Sequence, residues 1–162
     1  MPVDIQTILV ATDFSEASAP ATTYAFSLAR ALNARLYIMH VVPEDDVRVI
    51  TAVRAYLQSE VTPAALVETF YTEADKRLTT LVEDAHATDL VPERLIVTGQ
   101  PAAAIMRCAV AKQAQLIIIG THGRHGVTRF FMGSVAERVL REAPCAVLVV
   151  PATRVGAGSS CG

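Results

Sequence analysis

Five short runs of aliphatic, largely β-branched residues constrain this chain more than anything else in it: "TILVA" at 7–11, "RLYIMHVV" at 35–42, "RLIVT" at 94–98, "LIIIG" at 116–120 and "AVLVV" at 146–150. Each is near-continuously apolar rather than alternating, as a strand covered on both faces must be. Segments with helical spacing separate the runs. Strands alternating with helices, joined by right-handed crossovers, give an α/β fold: a three-layer α/β/α sandwich around a parallel sheet. The 162 residues suit one domain, and 52% hydrophobic content with 6% aromatic and no Trp predicts a core of Ala, Val, Leu and Ile.

The helices have legible starts. Residues 15–34 are Ala-rich, and Pro20 puts the onset nearer Ser18 than Ser15. Thr62-Pro63 opens a second helix with Leu66, Phe70, Ala74, Leu78, Val82 and Ala85 on one stripe. Pro101 opens a third, with Ile105, Met106, Ala109 and Val110 as its packing face, and Ser134 opens a fourth. Residues 43–61 fall out of rhythm and predict a loop plus a short helix over the sheet's edge. The domain spans 1–153, and the small, polar stretch 154–162 reads as a flexible tail.

Charge and cysteine usage narrow the function classes. A net charge of −2 argues against a basic grip on nucleic acid. Three scattered cysteines without a CxxC predict a reducing cytoplasm, and no apolar run approaches a membrane span.

The stretch "IIIGTHGRHGVTRFFMGSVAERV", 117–139, carries the candidate chemistry. Its glycines, Gly120, Gly123, Gly126 and Gly133, follow a strand and admit positive φ or a close ligand approach. Ser134 and Glu137 have capping-box spacing, and a helix N-terminus there would receive a phosphate. Arg124 and Arg129 add positive charge, with no acid before Glu137. The loop is shaped for an anion. It is neither a Walker A, since the only lysines are Lys76 and Lys112, nor a dinucleotide fingerprint, since GxGxxG is absent.

The spacing Gly120-x2-Gly123-x9-Gly133-Ser134 resembles the G-x2-G-x9-G-[ST] signature of the ATP-binding branch of the universal stress protein family. "TILVATDFSEAS", "VTGQPAAAI" and "PCAVLVVP" resemble that family's first, third and last strands with their flanks, so the resemblance covers residues 7–151. It implies a five-stranded parallel sheet of order 3-2-1-4-5, of the adenine nucleotide alpha hydrolase-like type. First and fourth strands are then neighbours, and Asp13 faces the glycine loop. It further implies that Ala11, Thr12 and Asp13 line the base and ribose side and that Val41 offers main chain to adenine. Gly120, His122, Gly123, Gly133, Ser134 and Val135 would hold ribose and phosphates, with Thr121 and Arg124 as neighbours. The ligand so implied is ATP, or AMP or ADP in its place, assisted by Mg²⁺.

Other residues have plainer readings. Asp13 suits either a ligand role or a helix cap. His122 and His125 form an HxxH without the further ligands a metal site needs. His40, Cys108 and Cys145 read as packed groups, and Phe130 and Phe131 suit a nucleotide cover or burial equally. A nucleotide-binding regulatory module is favoured over an efficient ATPase or phosphotransferase, because the loop supplies neither Lys nor acid for a metal clamp. The remaining alternative is a protein of the same fold that binds no nucleotide. The last strand, Ala146–Val150, is uncharged and would lie at the sheet's edge, which predicts a homodimer through it.

Overall fold

The computed structural model describes residues 4–57, 62–85, 89–122 and 132–152. Residues 123–131, with Gly123, Arg124, His125, Gly126, Arg129, Phe130 and Phe131, lie outside the described residues, as does the tail. The elements run β1 (Thr7–Ala11), α1 (Ala19–Leu32), β2 (Arg35–Pro43), α2 (Glu44–Tyr56), α3 (Pro63–Asp84), β3 (Glu93–Gly99), α4 (Pro101–Ala111), β4 (Leu116–Gly120), α5 (Ser134–Glu142) and β5 (Ala146–Val150). All four strand pairings are parallel, in the order β3-β2-β1-β4-β5. The sheet and its order are therefore as the sequence and the resemblance implied.

The apolar runs are continuous because the pleat feeds two cores. Ile8 and Val10 of β1, Leu36 and Ile38 of β2, and Leu116 and Ile118 of β4 pack with Ala21, Ala25, Phe26 and Ala29 of α1 and Leu78 of α3. The intervening residues Leu9, Ala11, Tyr37, Met39, Val41, Ile117 and Ile119 pack with Ala102, Ile105 and Ala109 of α4 and Ala136 and Val139 of α5. Each fully buried Leu or Ile contributes about 1.5–3 kcal/mol, and the alanines let helix backbones sit close to the sheet.

Helix ends follow their local chemistry. Ser18 is the N-cap of α1, with Pro20 in its first turn, and α1 ends at Asn33 in the left-handed region (φ 50°). Thr62 caps α3 by accepting a hydrogen bond from the Ala65 N–H (3.2 Å).

Three expectations are corrected. Residues 44–56 form a 13-residue helix that starts directly at the end of β2 rather than a loop with a short helix. Its acids Glu44, Asp45 and Asp46 occupy the first turn, where they complement the helix dipole. On α4 the packing stripe is Ala102, Ile105 and Ala109; Val110 is exposed and Met106 only half-buried. Val110 lies one residue, about 100°, beyond Ala109 on the helical wheel, which turns it off that stripe. The last correction concerns Ser134. The N-cap of α5 is Gly133, so Ser134 is the first helical residue and forms no capping box with Glu137.

Gly120 fixes how β4 meets α1. A Cβ there would lie 3.0 Å from the Ala17 carbonyl oxygen and 3.3 Å from the Ser18 Cα. Gly120→Ala is expected to lower unfolding stability by about 1–3 kcal/mol through this overpacking. Chemical denaturation of the variant beside wild type checks it.

Candidate functional site

The chain winds outward from β1 through β2 to β3, then returns to place β4 on the other side of β1. Connections therefore leave the carboxyl ends of β1 and β4 towards opposite faces, which opens the crevice where α/β sheets bind ligands. Ala11 and Thr12 end β1 there, and both are buried. The Thr12 N–H donates to the Met39 carbonyl (2.9 Å) and the Thr12 hydroxyl lies 3.1 Å from that of Ser18.

Asp13 caps no helix. Its Oδ1 accepts hydrogen bonds from the Ser15 N–H (3.0 Å) and the Ser15 hydroxyl (2.6 Å), closing a tight turn before α1. β1 pairs with β2 only as far as Ala11 and Met39, whereas β2 continues against β3 to Pro43. Val41 shares the strand parity of Met39, whose carbonyl points to β1. The main chain of Val41 on that side thus lies past the last β1 rung, while its side chain is buried beneath α4 and α5.

From the other side, β4 ends at Gly120 and continues into Thr121 and His122. The Thr121 N–H donates to the Val150 carbonyl (3.1 Å), and the Gly133 N–H donates to the Thr121 carbonyl (2.7 Å). That second bond pins the start of α5 to the exit of β4. The Gly133 backbone is extended (φ −62°, ψ 148°), and the only described glycine with positive φ is Gly99. Neither described glycine of the signature, Gly120 or Gly133, is needed for a positive φ, and Gly120 serves close approach to α1. Glu137 N–H bonds the Gly133 carbonyl (2.9 Å). A glycine N-cap has no side chain to accept from the N–H groups of Ser134, Val135 and Ala136, which stand at a positive helix end.

The His122 ring bonds the Thr121 hydroxyl through Nδ1 (2.9 Å), and its enclosed Nε2 has no hydrogen-bond partner among the described residues. A buried ring nitrogen without a partner is costly unless a ligand meets it. No group of three or more His, Cys, Asp or Glu among the described residues could hold a metal ion by itself. Mg²⁺ fits only in the manner of a phosphate-bound ion, sharing one carboxylate such as that of Asp13.

Ala11, Thr12, Asp13, Val41, Gly120, His122, Gly133, Ser134 and Val135 thus come from four separate elements and their exits to one end of the sheet. Gly123 and Arg124 lie outside the described residues. Phe14 and His40, which stack at a ring-centroid distance of 4.4 Å beside Thr12, were not expected at this site. A continuous apolar strand conceals which of its residues sits at the ligand end, and His40 read as core. A cleft of about 650 Å³ between α1 and α3 also escaped the sequence; it shares Thr12, Phe14, Ser15 and Ser18 with the turn.

The chain matches the universal stress protein family model over residues 4–151. It belongs to the universal stress protein family. A universal stress protein of Thermus aquaticus is 36% identical over 151 residues, covering 90% of this chain and 98% of that one. The universal stress protein UspA from Lactobacillus plantarum superposes with a TM-score of 0.73 at 24% identity, covering 92% and 99% of the two chains. A universal stress protein in complex with cAMP gives a TM-score of 0.61 at 26% identity, covering 93% and 100%. In this universal stress protein no described helix is long and apolar enough to cross a membrane.

The described thiols, Cys108 and Cys145, stand apart from the site. Burial pushes the Cys108 thiol up, opposed by Arg107 and Lys112, and burial likewise raises Cys145 against a hydrogen bond from Ile117. Thiolate is the reactive form, so Cys108 and Cys145 should be alkylated more slowly in native protein at pH 7 than in unfolded protein. Peptide-resolved mass spectrometry after iodoacetamide checks this, and equal rates would contradict it.

Proposed function

We propose that this universal stress protein binds an adenine nucleotide, with ATP assisted by Mg²⁺ as its principal ligand, and that occupancy controls its conformation or dimer contacts. The observation that carries this is the start of α5: main-chain N–H groups to which the glycine N-cap offers no side-chain acceptor, anchored by the Gly133–Thr121 bond at the exit of β4, the strand that pairs with β1. Such a helix end suits phosphates. The base end is supported by the Val41 main chain beyond the last β1 rung, and His122 Nε2 offers a ring nitrogen to ribose or phosphate. The cAMP complex of one relative supports an adenine ligand. The spaced glycine signature favours the ATP-binding branch, with Gly123 and Arg124 as further contacts.

The same geometry favours holding a nucleotide over turning it over. Oδ1 of Asp13 already accepts two hydrogen bonds from Ser15, which makes the carboxylate part of the turn. No described cluster of acids completes a metal clamp, so efficient hydrolysis is not expected.

Nucleotide released by denaturing freshly purified protein should be an adenine nucleotide by mass spectrometry, and calorimetry should detect Mg-ATP binding below millimolar ligand. Absence of both would end the proposal. Asp13→Ala removes a charge-assisted hydrogen-bond acceptor worth about 1.5–3 kcal/mol, at least tenfold in affinity. Asp45→Ala and Asp46→Ala, in exposed positions on α2, should bind like wild type. Gly133→Val keeps allowed torsions, so it should fold normally yet lose binding through its side chain at the phosphate approach.

The homodimer is proposed on the free edge of β5. Thr121 N–H bonds the Val150 carbonyl, so Leu148 and Val150 turn their main-chain groups to β4 and Val147 and Val149 turn theirs outward. Antiparallel pairing across a two-fold axis would satisfy both edges at once. Val149→Pro removes one outward N–H without breaking a β4–β5 rung. It should convert a sedimenting dimer to monomer, with circular dichroism confirming the fold; a wild type that sediments as monomer at all concentrations overturns the dimer.

A further inference from the structure

Phe14 sits between Asp13 and Ser15 with φ 63°, in the left-handed region that glycine enters freely and a bulky side chain does not. The other described non-glycine residues with positive φ are Asn33 and Gln113, both polar and both just past a helix end. Phe14 has no such excuse. It follows a strand by three residues and precedes the N-cap of α1 by four. A strained aromatic residue at a ligand-facing turn persists only where its surroundings hold it.

Two groups from other elements pack on its ring. The Arg77 guanidinium, carried on α3, lies 4.5 Å above the centre of the Phe14 ring. The His40 ring of β2 lies 4.4 Å from it with planes inclined by 33°. His40 is 6% exposed, and its Nδ1 is 2.9 Å from the Thr12 carbonyl oxygen. A carbonyl only accepts, so Nδ1 carries the proton. The Phe14 N–H in turn donates to the Thr12 hydroxyl (3.0 Å). Arg77, Phe14 and His40 thus form a column across three elements that ends on the carbonyl immediately before Asp13.

We infer that Arg77, Phe14 and His40 are positioning residues, holding the Thr12–Asp13 turn in its binding geometry by acting on the turn rather than on the ligand. This rests on the proposed nucleotide site. The physical basis is preorganisation: a turn that samples other conformers binds with an affinity reduced by the fraction that is competent. Contact of a cation and an imidazole with one ring offsets the torsional strain and removes those alternatives.

The test separates positioning from plain stability. Phe14→Gly deletes the column but suits the backbone, so strain relief offsets lost stacking and the thermal midpoint should move little. Its Mg-ATP dissociation constant, by calorimetry, should nevertheless rise about tenfold. Phe14→Tyr restores the ring and should bind within about twofold of wild type, and Arg77→Ala should weaken binding by about threefold. A folded Phe14→Gly that binds like wild type overturns the inference. Should that variant fail to fold, Arg77→Ala on the exposed side of α3 decides, and unchanged affinity there overturns it equally.

A readout independent of nucleotide separates this inference from the binding proposal. In wild type, ¹⁵N spectra should show His40 protonated at Nδ1, and the Ser15 amide, bonded to Asp13, should exchange slowly. Phe14→Gly should mix the His40 tautomers and speed Ser15 exchange by about tenfold or more. If wild type binds no nucleotide, the site assignment fails while this result still decides whether the column orders the turn. Unchanged tautomer and exchange in Phe14→Gly overturn the column itself.

Discussion

A parallel sheet must be covered on both faces, and most of this molecule follows from that requirement. Aliphatic side chains on either face would otherwise meet water. Two-sided cover demands helices on opposite faces, and one chain supplies them only by reversing its direction of winding. The reversal falls between β1 and β4. At that point neighbouring strands send their connections apart, so the sheet's carboxyl edge is left open there. The binding crevice is thus a by-product of covering the sheet.

Among the described residues, main chain supplies several of the groups at the crevice. The start of α5 offers N–H groups, β2 offers the backbone of Val41, and Gly120 lets the α1 turn close over β4. The side chains of Asp13 and His122 are already oriented by neighbours, Ser15 and Thr121. Such a surface recognises by shape and fixed dipoles. It suits a ligand rich in phosphate oxygens, in keeping with the proposed nucleotide.

Much of the fold was legible in the residues, and the failures have physical causes. The strand runs announced themselves because double burial leaves no room for polar alternation. Ser18, Thr62 and Pro101 marked helix starts because proline and hydroxyl residues act locally. Helix α2 was misread because none of its residues is fully buried: Val47, Ile50, Thr51 and Arg54 are only half-buried and Tyr56 is 88% exposed, so its apolar stripe is weak. The capping-box spacing of Ser134 and Glu137 misled because the preceding Gly133, pinned to Thr121, takes the cap. A pattern of types cannot report a bond made from twelve residues away.

The sequence by itself determined the layer architecture and the strand set, since each depends on hydrophobic burial or on local backbone chemistry. Only the tertiary structure decided which residues meet. Phe14 reads as an ordinary apolar residue after an acid, and His40 as one polar residue inside a strand. Their stacking beneath Arg77, and the left-handed torsion it stabilises, depend on three elements from distant parts of the chain. Local propensity is set by neighbours in sequence, whereas strain at a functional turn is sustained by neighbours in space.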